Sequence, residues 1–228
     1  ARTALRAKGR AVVVEGYMDV VALAQHGIEF SVATLGTATS GVHVQKLFRQ
    51  TDEIVFCFDG DAAGRRAAWH ALEVSLGVLA DNKTVRFLFL PQEDDRASYV
   101  RARGAQAFEA MLAESRPLSE FLLSELRSRV DMSTLEGRSR LISDAKPLLK
   151  RISAPALQLQ LLKQLGAASE MSYEEVGRLT DLGLTARTTG FELRRNVPQR
   201  NNTRTPADGT LEQLLLRCVL NQPRLALD

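Results

Sequence analysis

The sequence predicts an α/β protein: a parallel four-stranded sheet with flanking helices on both faces, followed by an all-helical subdomain. Four apolar runs rich in β-branched and aromatic residues, "AVVVEG", "FSVATLG", "EIVFCFDG" and "TVRFLFLP", alternate with helical patterns as far as Pro91. Strand, helix, strand repeated in this way implies right-handed crossovers, parallel strands and helices on both faces. From about Ser98 the spacing is helical only.

In order, the helices between the strands are "MDVVALAQHG", "HVQKLFRQ" and "AAGRRAAWHALEVSLGVLA". The helical half follows as "SYVRARG", "AQAFEAMLAES", "LSEFLLSELRSRV", "STLEGRSRLISDAKPLLKRI", "PALQLQLLKQLG" and "SYEEVGRLTDL". Ser119, Ser133 and Ser172 are predicted N-caps, the last two in capping boxes with Glu136 and Glu175. The leucine spacing in this half is that of a bundle core rather than a cofactor pocket. Residues 183–209 have almost no apolar periodicity and many Thr, Asn, Arg and Pro, the composition of a flexible basic linker. Residues 210–228, with "TLEQLLLRCVLNQPRLA", resume as an amphipathic helix that cannot bury its apolar face alone, as expected of the first element of a truncated further domain. The chain opens on Ala1 rather than Met, which points to a fragment or a trimmed product.

The net charge of +3 divides unevenly. Residues 1–10 carry +4, residues 183–207 carry +4 and residues 208–228 sum to −1, so residues 11–182 sum to −4. A basic nucleic-acid groove therefore cannot be read from overall charge, and any such grip comes from local patches. No run approaches the roughly 18 apolar residues of a membrane span, and the opening residues lack a secretory apolar stretch, so a cytoplasmic site is the default and no membrane partner is expected. Cys57 and Cys218 form no ligand pattern and read as reduced core residues. His26, His43 and His70 share no spacing and read as structural or surface residues, and Trp69 reads as packing, since one aromatic makes no stacking platform.

Three of the four strands end in acid. The first gives Glu15 with Asp19 four residues later, the third gives Asp59 and Asp61, and the fourth leads to Glu93, Asp94 and Asp95. Alone, an ExxxD across a strand–helix junction reads as an N-cap and a DGD as a turn. Together at one sheet rim the carboxylates repel one another unless a cation sits among them. Magnesium suits hard oxygen ligands and is commonly held by a few carboxylates with water and substrate phosphates. The same rim offers Gly36 and Thr37 in "LGTATSG", and Arg65 with Arg66 at a helix start, all suited to a triphosphate or a nucleic-acid backbone.

The run "EGYMD", then "LGTA", then "FDGDAAGRRAA", then "FLFLP" with an acidic loop resembles the TOPRIM segment of bacterial DnaG-type replicative primases over roughly residues 10–180. The tail "LEQLLLRCVLNQPRLA" is similar to the opening of the primase domain that contacts the replicative helicase. The resemblance implies a TOPRIM domain over 1–97, a helical bundle subdomain over 98–182, and a truncated C-terminal helicase-binding domain from 210. It implies synthesis of short RNA primers on a single-stranded DNA template from ribonucleoside triphosphates, with Glu15, Asp59 and Asp61 catalytic and Mg²⁺ or Mn²⁺ held by Glu15, Asp19, Asp59, Asp61 and Asp95. It implies the replicative helicase and single-stranded DNA-binding protein as partners, and zinc only in an N-terminal module that does not precede Ala1, so the fragment is expected to be incomplete for activity.

Where the family reads DPD, this sequence has Asp95, Arg96 and Ala97, which removes one ligand and adds a cation. Another TOPRIM enzyme, a nuclease or topoisomerase, would keep the same acids. Strand passage needs a nucleophilic tyrosine beside the site, but Tyr17 lies inside the acidic motif while Tyr99 and Tyr173 lie in helical segments. A phosphoacceptor switch using Asp59 needs an acid pair after the first strand and a lysine after a fifth, and neither is visible. A non-catalytic scaffold joining helicase to polymerase is the reading from a different class.

Overall fold

The computed structural model describes residues 2–34, 38–91 and 96–182. The chain opens on a short helix, α1 (Arg2–Lys8), which leads into β1 (Arg10–Val14), α2 (Tyr17–Gln25), β2 (Ser31–Ala33), α3 (Gly41–Phe48), β3 (Glu53–Phe58), α4 (Ala62–Leu76) and β4 (Thr84–Phe89). The helical half comprises α5 (Arg96–Ala113), α6 (Leu118–Ser128), α7 (Leu135–Arg151), α8 (Pro155–Ser169) and α9 (Tyr173–Leu179), with the two-residue strand β5 (Arg116–Pro117) between α5 and α6.

The sheet order is β2-β1-β3-β4-β5. The four predicted strands are all parallel, with Val13 beside both Val32 and Phe56, and Phe58 beside Phe89. β5 pairs antiparallel with β4 and was not predicted. Arg86 on β4 anchors it, its Nε donating to Ser115 Oγ at 2.8 Å and its Nη2 donating to the Ser115 carbonyl. Residues Val12, Val14, Ile54, Val55 and Cys57 are wholly buried, as the unbroken apolar runs of a covered parallel sheet require.

From β1 the chain steps to β2 on one side, then returns to β3 on the other. Right-handed crossovers therefore put α2 on the face opposite α3 and α4. The packing agrees: α2 contacts α5, while α3 contacts α4. Neighbouring β1 and β3 thus flank the switch point of the sheet, where helices leave on opposite faces and a crevice opens beyond the carboxyl ends of the strands.

Sheet and helical half share one core. The ring of Phe121 on α6 sits 4.8 Å from that of Phe87 and 5.3 Å from that of Phe89, centroid to centroid. Trp69 packs against this core, donates from Nε1 to Glu73 at 3.0 Å, and lies under the Arg129 guanidinium at 4.1 Å, which bears out its reading as packing. Cys57 is buried, whereas Cys218 lies outside the described residues.

The caps differ in part from the prediction. Ser172 and Glu175 form the expected capping box on α9. Thr134, not Ser133, caps α7, with its hydroxyl accepting from Gly137 N–H at 3.0 Å. Ser133 instead bonds the Asp131 carboxylate through both its amide and its hydroxyl. Pro117 occupies the N-cap position of α6 and Ser119 lies inside the helix, because β5 runs straight into it. The break foreseen between "SYVRARG" and "AQAFEAMLAES" is a kink at Gly104, whose φ of 80° is open to glycine and strained for other residues. The predicted linker 183–209 and tail 210–228 lie outside the described residues. Among the described residues no helix is long and apolar enough to cross a membrane.

Candidate functional site

Glu15 follows the last residue of β1, and Asp59 follows the last residue of β3. Because these strands are adjacent and parallel, both acids emerge at the same rim, on the two sides of the switch point. Glu15 is exposed and Asp59 half-buried.

The other two acids are fixed by helix starts. Asp19, in the first turn of α2, accepts the Gly16 amide on Oδ2 at 3.0 Å. Asp61 is the N-cap of α4 and accepts the Gly64 amide on Oδ1 at 2.7 Å. The modest local readings of ExxxD and DGD therefore hold as local structure. They do not use up the acids, because a cap bond occupies one oxygen of a carboxylate that has two.

Gly64 has a role that the sequence reading passed over. A Cβ placed there would fall well inside contact distance of the Asp59 carbonyl oxygen and 3.0 Å from the carbonyl carbon. The first turn of α4 is thus laid directly on the backbone of Asp59, and only a residue without a side chain permits it. The visible signal was the spacing of "DGDAAG", in which the glycine stands five residues after the first acid.

Arg65 is committed locally. Its Nη1 lies 3.4 Å from Glu125 Oε1, and its guanidinium lies 5.5 Å from the Phe89 ring centroid, which ties α4 to α6. Arg66 is exposed on the next position of α4. Gly36, Thr37 and Asp95 lie outside the described residues, and so do Glu93 and Asp94.

Among the described residues no three His, Cys, Asp or Glu side chains gather closely enough to enclose a metal ion. The strand ends bring Glu15 and Asp59 to one rim, with Asp61 two residues on, but they do not form a closed cage. That arrangement fits magnesium, which takes hard oxygen donors and keeps several waters on one or two protein carboxylates, better than it fits a structural metal. Glu15, Asp59 and Asp61 are the residues that would hold it.

A parallel sheet with acids at the carboxyl ends of β1 and β3 is the design of a Toprim protein, and a Toprim domain model matches residues 9–89. A second model, the DnaB-helicase binding domain of primase, matches residues 119–172, from α6 to the N-cap of α9. Over 229 residues the chain is 44% identical to a DNA primase of Neisseria meningitidis serogroup A, covering 97% of this chain and 38% of that protein. A crystal structure of a DNA primase domain from Pseudomonas aeruginosa superposes with a TM-score of 0.73 at 49% identity, over 75% of this chain and 54% of the other. A DnaG primase catalytic domain bound to single-stranded DNA gives 0.72 at 44% identity, over 75% and 56%. The chain is thus homologous to DnaG-type DNA primases along nearly its whole length, and spans well under half the length of the curated relative.

Proposed function

We propose that this chain carries the catalytic rim of a DNA primase, a DNA-dependent RNA polymerase that makes short RNA primers on single-stranded DNA. The observation that supports it most is the placement of Glu15 and Asp59 at adjacent strand ends on either side of the switch point, within the segment that matches the Toprim model. When bound, a divalent metal supplies charge stabilisation to the entering and leaving oxygens of the α-phosphate under attack. The residues of the chain prepare that step: Glu15, Asp59 and Asp61 offer oxygen donors, the two cap bonds hold Asp19 and Asp61, and exposed Arg66 near the start of α4 is a cation suited to a triphosphate. The neighbour bound to single-stranded DNA supports the template class. The primase helicase-binding match over 119–172 supports a replicative helicase as partner.

The test is Asp59→Asn in the full-length protein containing this sequence. Calorimetry with Mg²⁺ and a primer-synthesis assay should both show a loss, while the melting temperature stays unchanged. Unaltered Mg²⁺ affinity would overturn the assignment.

A further inference from the structure

Exposed apolar surface in the sheet half gathers on one helix. Among the described residues up to 91, the large apolar side chains left exposed are Tyr17, Met18, Val21 and Val42, and the first three are on α2. Helical spacing turns Tyr17, Val21 and Met18 through about 100° in all, so they form one stripe. The other face does the packing, with Leu23 wholly buried and Val20 against the core. Isolated exposed apolar residues are ordinary, but a contiguous patch marks a binding surface.

Tyr17 is 63% exposed, against 38% for Tyr173 and 5% for Tyr99, the other tyrosines of the chain. Arg129 lies on the Trp69 ring, Arg103 on Tyr99 and Lys163 on Tyr173, whereas among the described residues no ring or cation lies on Tyr17. Its backbone is nonetheless fixed. The Gly16 amide donates to the Asp19 carboxylate, so Tyr17 and Met18 leave from a pinned turn. Two residues of chain reach about 7 Å at most, which keeps the root of the ring close to Glu15.

Charge limits what can lie on that ring. Glu15 and Asp19 flank it in sequence, so a phosphate is repelled and a neutral group is admitted. A nucleobase is neutral and planar, and it stacks on an aromatic side chain whatever its identity. Met18 widens the platform with a polarizable thioether. We propose that Tyr17, with Met18 beside it, stacks the base of the ribonucleoside triphosphate whose phosphates are held at the acid rim. The inference rests on the rim being the nucleotide site. It adds a contact that accepts all four bases, as copying a template requires, and leaves their selection to pairing.

The experiment compares Tyr17→Ala and Tyr17→Phe with the parent in the full-length protein containing this sequence. At saturating template, Tyr17→Ala should raise the KM for each ribonucleoside triphosphate about tenfold with kcat little changed. Tyr17→Phe should keep the parent value, because the ring and not the hydroxyl makes the stack. Melting temperature and calorimetric Mg²⁺ affinity should stay at parent values in both variants, as expected of an exposed side chain outside the carboxylate set. Inorganic tripolyphosphate, which has the phosphates and no base, should inhibit the parent and Tyr17→Ala equally. Mg²⁺ affinity in Asp59→Asn tests the rim and KM in Tyr17→Ala tests the stack, so the two assignments fail separately. The proposal is overturned by an unchanged KM in Tyr17→Ala, by an equal loss in Tyr17→Phe, by weaker tripolyphosphate inhibition of Tyr17→Ala, or by a loss confined to template affinity, which would give the ring to the template.

Discussion

Replacing Gly64 by alanine opposes two effects of known sign. In a helix, alanine is favoured over glycine by about 1 kcal/mol, so an unobstructed position would gain stability. At position 64 the new methyl meets the Asp59 backbone, with carbonyl carbon and amide nitrogen at 3.0 and 3.1 Å and the carbonyl oxygen closer still. No rotamer change relieves a contact between a Cβ and a main chain, so α4 and the end of β3 must separate. Overpacking of this kind costs about 1–3 kcal/mol, and a rigid backbone partner belongs at the upper end. The net expectation is a loss of about 2 kcal/mol, or a melting temperature lower by about 4–8 °C for a body of this size. Gly77, where the nearest atom to a built Cβ is 3.9 Å away, is the control, and Gly77→Ala should be neutral or slightly stabilising. A displacement of Asp59 on the order of 1 Å should also lower primer synthesis in the full-length protein about 100-fold. Thermal unfolding followed by circular dichroism decides the matter, and a Gly64→Ala melting temperature equal to or above the parent refutes the reasoning.

Asp61→Ala should cost about 1 kcal/mol through the lost cap bond to Gly64, whereas Asp61→Asn, an equally good N-cap, should keep stability and still lose Mg²⁺ affinity; chemical denaturation beside calorimetry separates the two roles. Arg129→Ala should cost about 0.5–1 kcal/mol and shift the emission of Trp69, the single tryptophan, to the red. The Lys146 and Lys150 ammonium groups hold the Asp181 carboxyl below its ordinary 3.8, so its contribution is present above that value and is lost as pH falls through the lowered one. Hydrogen exchange of α9 should therefore quicken on acidification in the parent relative to Asp181→Asn, and equal pH profiles would show that the pairing does not stabilise the helix.

What the sequence made legible follows from how local each signal is. The strands announced themselves because a sheet covered on both faces needs unbroken apolar runs such as "AVVV" and "IVFCF". α1 did not, because among its charged residues Leu5 is its one buried side chain. β5 could not be seen, since Arg116 and Pro117 carry no period and their pairing depends on Arg86 reaching Ser115 from another strand. The cap of α7 fell one residue later than expected for a reason remote from propensity: a Cβ at Gly137 would lie 2.6 Å from the Asp131 carbonyl carbon, and that close turn sets where the helix begins. At the site, the sequence carried which acids end which strands but not the distances between them.

The two readings of the rim acids, as caps and as metal ligands, are therefore not rivals. An unrestrained aspartate can turn away from neighbouring carboxylates, so a cluster of mobile acids loses its repulsion and its ligand geometry together. Asp19 and Asp61 are each tied by one oxygen to a backbone amide of the helix start, at 3.0 and 2.7 Å. Gly64 lets that same helix start press against Asp59. The conformational entropy of positioning the acids is thus spent in folding rather than on arrival of a ligand. Glu15 stands exposed at the end of β1. It sits across the switch point from the DGD turn, on the strand where the chain reverses its direction through the sheet. The acids therefore share one open rim, where the DGD turn is held in place by the start of α4 before any ligand arrives.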